Sequence, residues 1–183
     1  MISIGVVNFN KDNSIPIKLI TELANRGYAV YMIHHYDDYV NIIKKMDEIT
    51  YWFFSGSEFM PNHNKSPQLD KEILKIKDKK FMMVCYSMEI FCKLLEMKLD
   101  NYNDSIKKIS KFHDAFLGKT IEGWRNHKYY LSEKSAKDIT ILGTLENEVM
   151  TAKYTKKSDF LLVQWHPPYT DDGKELLTKW LSS

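Results

Sequence analysis

Two side chains of complementary chemistry stand at the ends of apolar segments far apart in the chain. Cys85 lies where the run Phe81-Met82-Met83-Val84 passes into Tyr86-Ser87-Met88-Glu89, and His166 follows Val163-Gln164-Trp165 and precedes Pro167-Pro168. A thiol at the carboxyl end of a buried strand, with an imidazole brought to it by a second strand end, is how an α/β fold assembles a cysteine nucleophile and its base. The chemistry this predicts is acyl transfer. The first amides of a helix starting after Cys85 favour the thiolate and lower its pKa. His166 holds the ion pair and later protonates the leaving group, while the N–H of Tyr86 and one from Gly56 or Ser57 face a tetrahedral oxyanion.

The elements that must position these residues alternate through the first half. Met1 to Val7 reads as a strand, and Ser14 as a cap before Pro16 in the first turn of a helix carrying Ile17, Ile20, Leu23 and Ala24. Strands follow at Tyr28 to Ile33, Thr50 to Phe54 and Lys80 to Val84, with helices at Tyr39 to Met46, Leu69 to Ile76 and Met88 to Met97. This rhythm predicts an α/β fold, a mostly parallel, flavodoxin-like sheet with helices on both faces. Ligands of such a sheet bind at the carboxyl ends of its strands, which puts Gly56, Cys85 and His166 on one edge.

The second half reads as β-rich, with strands at Lys107 to Lys111, Ile121 to Leu131, Ile139 to Leu145, Val149 to Lys156 and Phe160 to Trp165. Asp159 is expected in a hairpin turn, and a last helix over Gly173 to Leu181 has Asp171 or Asp172 as its cap. The polar stretch Glu58 to Gln68, with Pro61 and Pro67, is expected to border the site.

The 183 residues fit one domain spanning 1–183. Lys and Arg number 26 against 24 Asp and Glu, and the lysines are scattered among acids, which argues against nucleic acid as a partner. Cys85 and Cys92 are seven residues apart across a strand-to-helix junction, about 10 Å along a helix and beyond disulfide reach, so both are expected as free thiols. No apolar run approaches the roughly 20 residues that cross a bilayer, and residues 8–14 are polar where a signal peptide is apolar. The expectation is a soluble cytoplasmic protein without a membrane partner. His34 and His35 are adjacent and face opposite sides of an extended chain, a poor metal ligand set; no metal and no cofactor is implied.

Taken in order, these segments resemble those of class I glutamine amidotransferases. Phe54-Ser55-Gly56-Ser57 resembles the family's S-G-G-P oxyanion strand, Met83 to Glu89 its G-x-C-x-G-x-Q elbow, and Leu162 to Pro168 its G-V-Q-F-H-P-E segment. Asn126-His127 stands in the place of the S-H pair that lines the family's glutamine pocket, and Lys174-Glu175-Leu176-Leu177 resembles the start of its last helix. The resemblance implies a glutaminase-type hydrolase that opens the γ-amide of glutamine or a γ-glutamyl compound through a thioester on Cys85. His166 is then the base, Gly56, Ser57 and Tyr86 serve the oxyanion, and Glu89, Asn126 and His127 contact a small-molecule substrate. A separate synthetase subunit is the implied partner.

The departures bear on that expectation. Pro168 occupies the place of the glutamate that orients the family's histidine, leaving the triad incomplete; Asp171 or Asp172 could substitute from the next turn, although both also read as helix caps. Losing an orienting carboxylate costs on the order of 10⁴ in turnover in serine triads, less where a thiolate is already formed. Met83 and Ser87 replace the small residues of the elbow, Ser57 replaces a glycine, and Glu89 replaces the substrate-reading glutamine. Together they predict either a substrate other than free glutamine or a catalytically inactive relative with a binding or regulatory role.

Overall fold

The computed structural model describes residues 2–11, 14–154, 156 and 159–183; Met1, predicted to start the first strand, lies outside them. In chain order the elements are β1 (Ser3–Asn8), α1 (Ile17–Asn25), β2 (Ala29–His34), α2 (Tyr39–Lys45), β3 (Tyr51–Phe54), β4 (Lys80–Val84) and α3 (Tyr86–Leu94). They are followed by β5 (Leu99–Asp114), β6 (Lys119–Leu131), β7 (Thr140–Leu145), β8 (Glu148–Tyr154), β9 (Asp159–Val163) and α4 (Asp171–Leu181).

All nine strands form one sheet in the order β2-β1-β3-β4-β9-β8-β7-β5-β6. The half from β2 to β9 is parallel, as the βαβ rhythm predicts. Every pairing beyond β9 is antiparallel, so the sheet is mixed and the expectation of a mostly parallel sheet is corrected. The physical reason is the connections: β5 and β6, like β7 and β8, are joined by short turns, and a short turn can only reverse the chain.

Helices cover both faces of the sheet. One core joins Val40 and Ile43 of α2 and Tyr86, Ile90 and Phe91 of α3 to Phe54, Phe81 and Phe160 of the strands. The other joins Leu19 and Leu23 of α1 and Leu176, Leu177 and Trp180 of α4 to Ile4, Phe53, Met82 and Leu161. The central strands alternate between these two cores along their length, which is why their sequences are apolar at every position.

Several local expectations are revised. Residues 69–76 form only a 3₁₀ turn, Lys71–Lys75, capped by the Asp70 side chain; Leu69 and Ile76 are buried on either side of it, where Asp70 and Ile76 have extended backbone. Helix α1 is entered through Pro16 without a side-chain cap, while the Ser14 hydroxyl donates to the Lys11 carbonyl. Strand β5 runs much further than predicted, since its polar residues pair with β6 on a solvated face. Asp159 is paired with Lys80 at the start of β9 instead of lying in a turn; Thr155, predicted as part of β8, lies outside the described residues. No helix among the described residues is long and apolar enough to cross a membrane.

Candidate active site

Strands β3, β4 and β9 are neighbours, and their carboxyl ends deliver Gly56, Cys85 and His166 to one edge of the sheet. Cys85 has φ 52° and ψ −111°, a left-handed backbone that costs a non-glycine residue about 1–3 kcal/mol and is held only where its surroundings fix it. Those surroundings are visible. Its N–H donates to the Val163 carbonyl at 2.7 Å. The Ser87 hydroxyl accepts from the Val84 N–H at 2.6 Å and donates to the Phe54 carbonyl at 2.8 Å, tying the turn to β3. A serine in place of a small residue thus secures the elbow, and Met83 is absorbed in the core with no exposed surface.

Gly56 separates the two reactive side chains. A Cβ placed on it would lie 3.4 Å from Cys85 Cβ and 3.0 Å from His166 Cε1, so both residues border the same glycine. The Asn126 backbone is a second shared neighbour: its carbonyl accepts from Cys85 Sγ at 3.6 Å, and it favours the charged form of the His166 ring. The His166 backbone is fixed by its N–H to the Trp124 carbonyl at 2.8 Å. Its turn is clamped by α4, where Gly173 approaches so closely that a Cβ would overlap the Pro167 carbonyl oxygen.

The electrostatics correct the expected thiolate–imidazolium pair. Burial raises the Cys85 thiol well above its ordinary pKa, the Glu89 carboxyl adds to this, and the Tyr86 amide opposes it without winning. Burial, followed by the charge of His127, pulls His166 down to about 4, and the Asn126 hydrogen bond offsets this only in part. The resting pair is therefore a neutral thiol beside a neutral imidazole. His166 Nε2 is sealed from solvent and has no hydrogen-bond partner among the described residues.

Neither aspartate named as a substitute third member serves His166. Asp171 pairs with Lys174, and Asp172 pairs with Lys119 and accepts from the Glu122 N–H at 2.8 Å. The cap of α4 is Thr170, whose hydroxyl accepts from Gly173, and this corrects the assignment of the cap to either aspartate.

Two cavities meet at this edge. One, of about 280 Å³, is lined by Cys85 and Glu89 together with Ser57, Asn126 and His127. The other, of about 240 Å³, is lined by Gly56, His166, Pro168 and Tyr169, and Ser57 and Asn126 border both. The segment after β3 shapes the first cavity through Glu58, Phe59 and Met60 and is tied to α3 by the Tyr86 hydroxyl, which donates to the Pro67 carbonyl. The Ser55 hydroxyl donates to the Gly56 carbonyl at 2.9 Å. In a trans peptide that turns the Ser57 N–H the opposite way.

Beneath the first cavity lies a polar cluster that sequence reasoning missed. Glu148 contacts His127 Nε2 at 2.5 Å, is ion-paired to Arg125 and accepts from the Tyr102 hydroxyl at 2.8 Å. Burial alone would raise Glu148, but His127 and Arg125 outweigh it and hold the carboxyl below its usual range. Among the described residues the hydrogen bond to Glu89 comes from Gln164, which donates to it at 3.0 Å, and burial pushes Glu89 up to about 8. Glu148 carried no local signal, being a lone acid at the head of an apolar strand. Gln164 lies inside the histidine segment, and the period of two along a strand end could have flagged it as facing away from Trp165. Trp165 is fully buried with its indole N–H on Thr151, as expected of packing, and Cys92 is likewise a buried core residue. Among the described residues no group of His, Cys, Asp and Glu could hold a metal ion.

This fold recurs in other proteins. The family profile described as "Glutamine amidotransferase class-I" matches residues 9–181. Among solved structures, a GMP synthase subunit protein from Thermoplasma acidophilum superposes with a TM-score of 0.75 at 14% identity, covering 100% of this chain and 93% of that one. PurLQS from Thermotoga maritima gives 0.71 at 13% identity, covering 98% and 97%. A glutamine amidotransferase from Thermotoga maritima gives 0.68 at 14% identity, covering 99% and 81%. At these identities the likeness is one of fold. No curated protein sequence matches significantly. The profile spans nearly the whole chain, and the chain belongs to the class I glutamine amidotransferase family.

Proposed function

We propose that the protein hydrolyses the γ-amide of glutamine or of a γ-glutamyl compound through a thioester on Cys85. The observation that carries this reading is the convergence of Cys85 and His166 on Gly56, beside a cavity large enough for an amino-acid side chain. In this mechanism the amide carbon sits over Sγ, His166 takes the thiol proton as the C–S bond forms, and that proton leaves with ammonia. Water then attacks the thioester, His166 again accepting the proton and returning it to the sulfur. The N–H groups of Tyr86 and Ser57 are the proposed oxyanion donors, the second because the Gly56 carbonyl is turned toward Ser55. Asn126 and His127 form the cavity wall against the substrate.

The incomplete triad sets the expected rate. With Pro168 beside it, His166 has only a neutral carbonyl to stabilise its charged form, so proton transfer from the thiol is costly and turnover is expected to be low. The neutral resting pair favours a second reading, a relative that binds a γ-glutamyl ligand without turning it over. The names of two structural neighbours, one belonging to GMP synthase and the other PurLQS, support delivery of any ammonia to a separate synthetase partner. Ammonia release from glutamine and a panel of γ-glutamyl dipeptides, with Cys85→Ala as the blank, separates the readings. Release above the blank supports hydrolysis; ligand binding without release supports the silent form.

A further inference from the structure

Glu89 is a carboxyl in the first turn of α3, 3% exposed, and it faces the cavity that also contains the Cys85 thiol. A carboxylate buried this deeply needs a cation or several donors. The two basic side chains of the polar cluster, Arg125 and His127 on β6, are already held by Glu148 of β8. Its own helix brings the Cys92 thiol and the Tyr86 phenol, both raised in pKa, with the Cys85 thiol just before it; Lys93, one turn on from Glu89, donates its ammonium to the Pro61 carbonyl instead. From the segment after β9 come Gln164 and the neutral His166, and from the cavity rim Glu58, Lys107 and Lys128. Among the described residues no ion pair reaches Glu89, and its hydrogen bond comes from the Gln164 amide.

A neutral carboxyl differs from a carboxylate in what it offers a ligand. Protonated, it keeps one acceptor oxygen, which suits the Gln164 N–H, and gains one O–H donor. We propose that Glu89 determines specificity in the Cys85 cavity by acting as a neutral acid, donating its proton to an acceptor oxygen of the bound γ-glutamyl ligand. Ionisation removes that donor and sets a negative charge against the ligand oxygen, and it also suppresses the Cys85 thiolate. The role rests on the hydrolase reading of the site for its ligand class, and burial, which pushes the carboxyl up to about 8, places the switch in the alkaline range.

The test compares alkylation of Cys85 by the chloroketone analogue of glutamine with alkylation by iodoacetamide, from pH 6 to 10, in the full chain. The ratio of the two second-order rates cancels the titration of the thiol. For the wild type the ratio is expected to fall about tenfold per pH unit above roughly pH 8, as follows from loss of one bound proton. Glu89→Gln keeps a donor and should hold the wild-type ratio at pH 6 and stay flat across the range, whereas Glu89→Leu should lower it at least tenfold at every pH. Superimposable wild-type and Glu89→Gln profiles overturn the proposal while leaving the hydrolase reading intact. A ratio near that of an unstructured thiol in every variant overturns both. Infrared spectroscopy of the wild type alone covers the case in which the variants do not fold: a protonated-carboxyl band must persist at pH 7 and shift on adding glutamine, and its absence rejects the neutral acid.

Discussion

The Cys85 thiol donates to the backbone carbonyl of Asn126 at 3.6 Å, and the same residue's backbone favours the charged form of His166, so the proposed nucleophile and base share one neighbour. A thiol so held is protonated at rest and its burial keeps it so. Alkylation by iodoacetamide at pH 7 should therefore be slow compared with a free cysteine and should climb about tenfold per pH unit through pH 9 without reaching a plateau. A plateau below pH 8 would reveal a thiolate that this burial does not permit.

Pro168 is the residue whose replacement should restore most. Pro168→Glu places a carboxylate two residues beyond His166, which should raise the imidazole from about 4 toward its ordinary range and increase ammonia release from glutamine by at least tenfold. Imidazole proton shifts read the first effect and a coupled ammonia assay the second. A raised pKa without faster turnover would mean that the step limiting the reaction is not proton transfer.

Stability should fall on both sides of a maximum for opposite reasons. Glu89 is raised from 4.5 to about 8, so over that window the folded chain keeps a proton that the unfolded chain has lost, and stability declines as pH rises, by up to ~1.4 kcal/mol per pH unit. His166 is lowered from 6.5 to about 4, so the unfolded chain binds the extra proton and stability declines as pH falls through that range. Urea unfolding should show Glu89→Gln gaining stability above neutral pH, and His166→Gln gaining it near pH 5.

The buried cluster is expected to matter for folding. Glu148→Gln leaves the buried Arg125 guanidinium uncompensated, and loss of one partner of such a pair costs about 3–5 kcal/mol. The midpoint of urea unfolding should drop with an unchanged slope. A loss below about 1 kcal/mol would show that solvent reaches Arg125.

Gly56→Ala tests the close approach at the site while leaving both Cys85 and His166 in place in the sequence. Its methyl would lie 3.0 Å from His166 Cε1 and must push the ring aside. Glutamine-directed labelling of Cys85 should fall at least tenfold while stability changes by only about 1 kcal/mol.

Much of this architecture could be read from residue order. The apolar runs ending at Phe54 and Val84 and the one ending at Val163 announced three buried neighbouring strands, and with them the meeting of Gly56, Cys85 and His166. The antiparallel half was legible as strands, but β5 was underestimated because its exposed polar residues satisfy no burial pattern. What could not be read is long-range electrostatics. The pull of the Tyr86 amide on the Cys85 thiol is local and was foreseen, whereas the stronger opposing effect of burial and Glu89 depends on the packed surroundings. In the same way Glu148 gains its meaning only when β8 brings it to Arg125 and His127 of β6, two strands that are not adjacent in the sheet.

The proposed nucleophile is tested most directly by mass spectrometry after incubation with the chloroketone analogue of glutamine. Nucleophilic attack by Cys85 in a glutamine-shaped cavity predicts one adduct on the wild type, located on the Cys85 peptide, blocked by excess glutamine and absent from Cys85→Ala. An unlabelled wild type whose thiol still reacts with iodoacetamide would contradict it, as would an adduct that persists in Cys85→Ala.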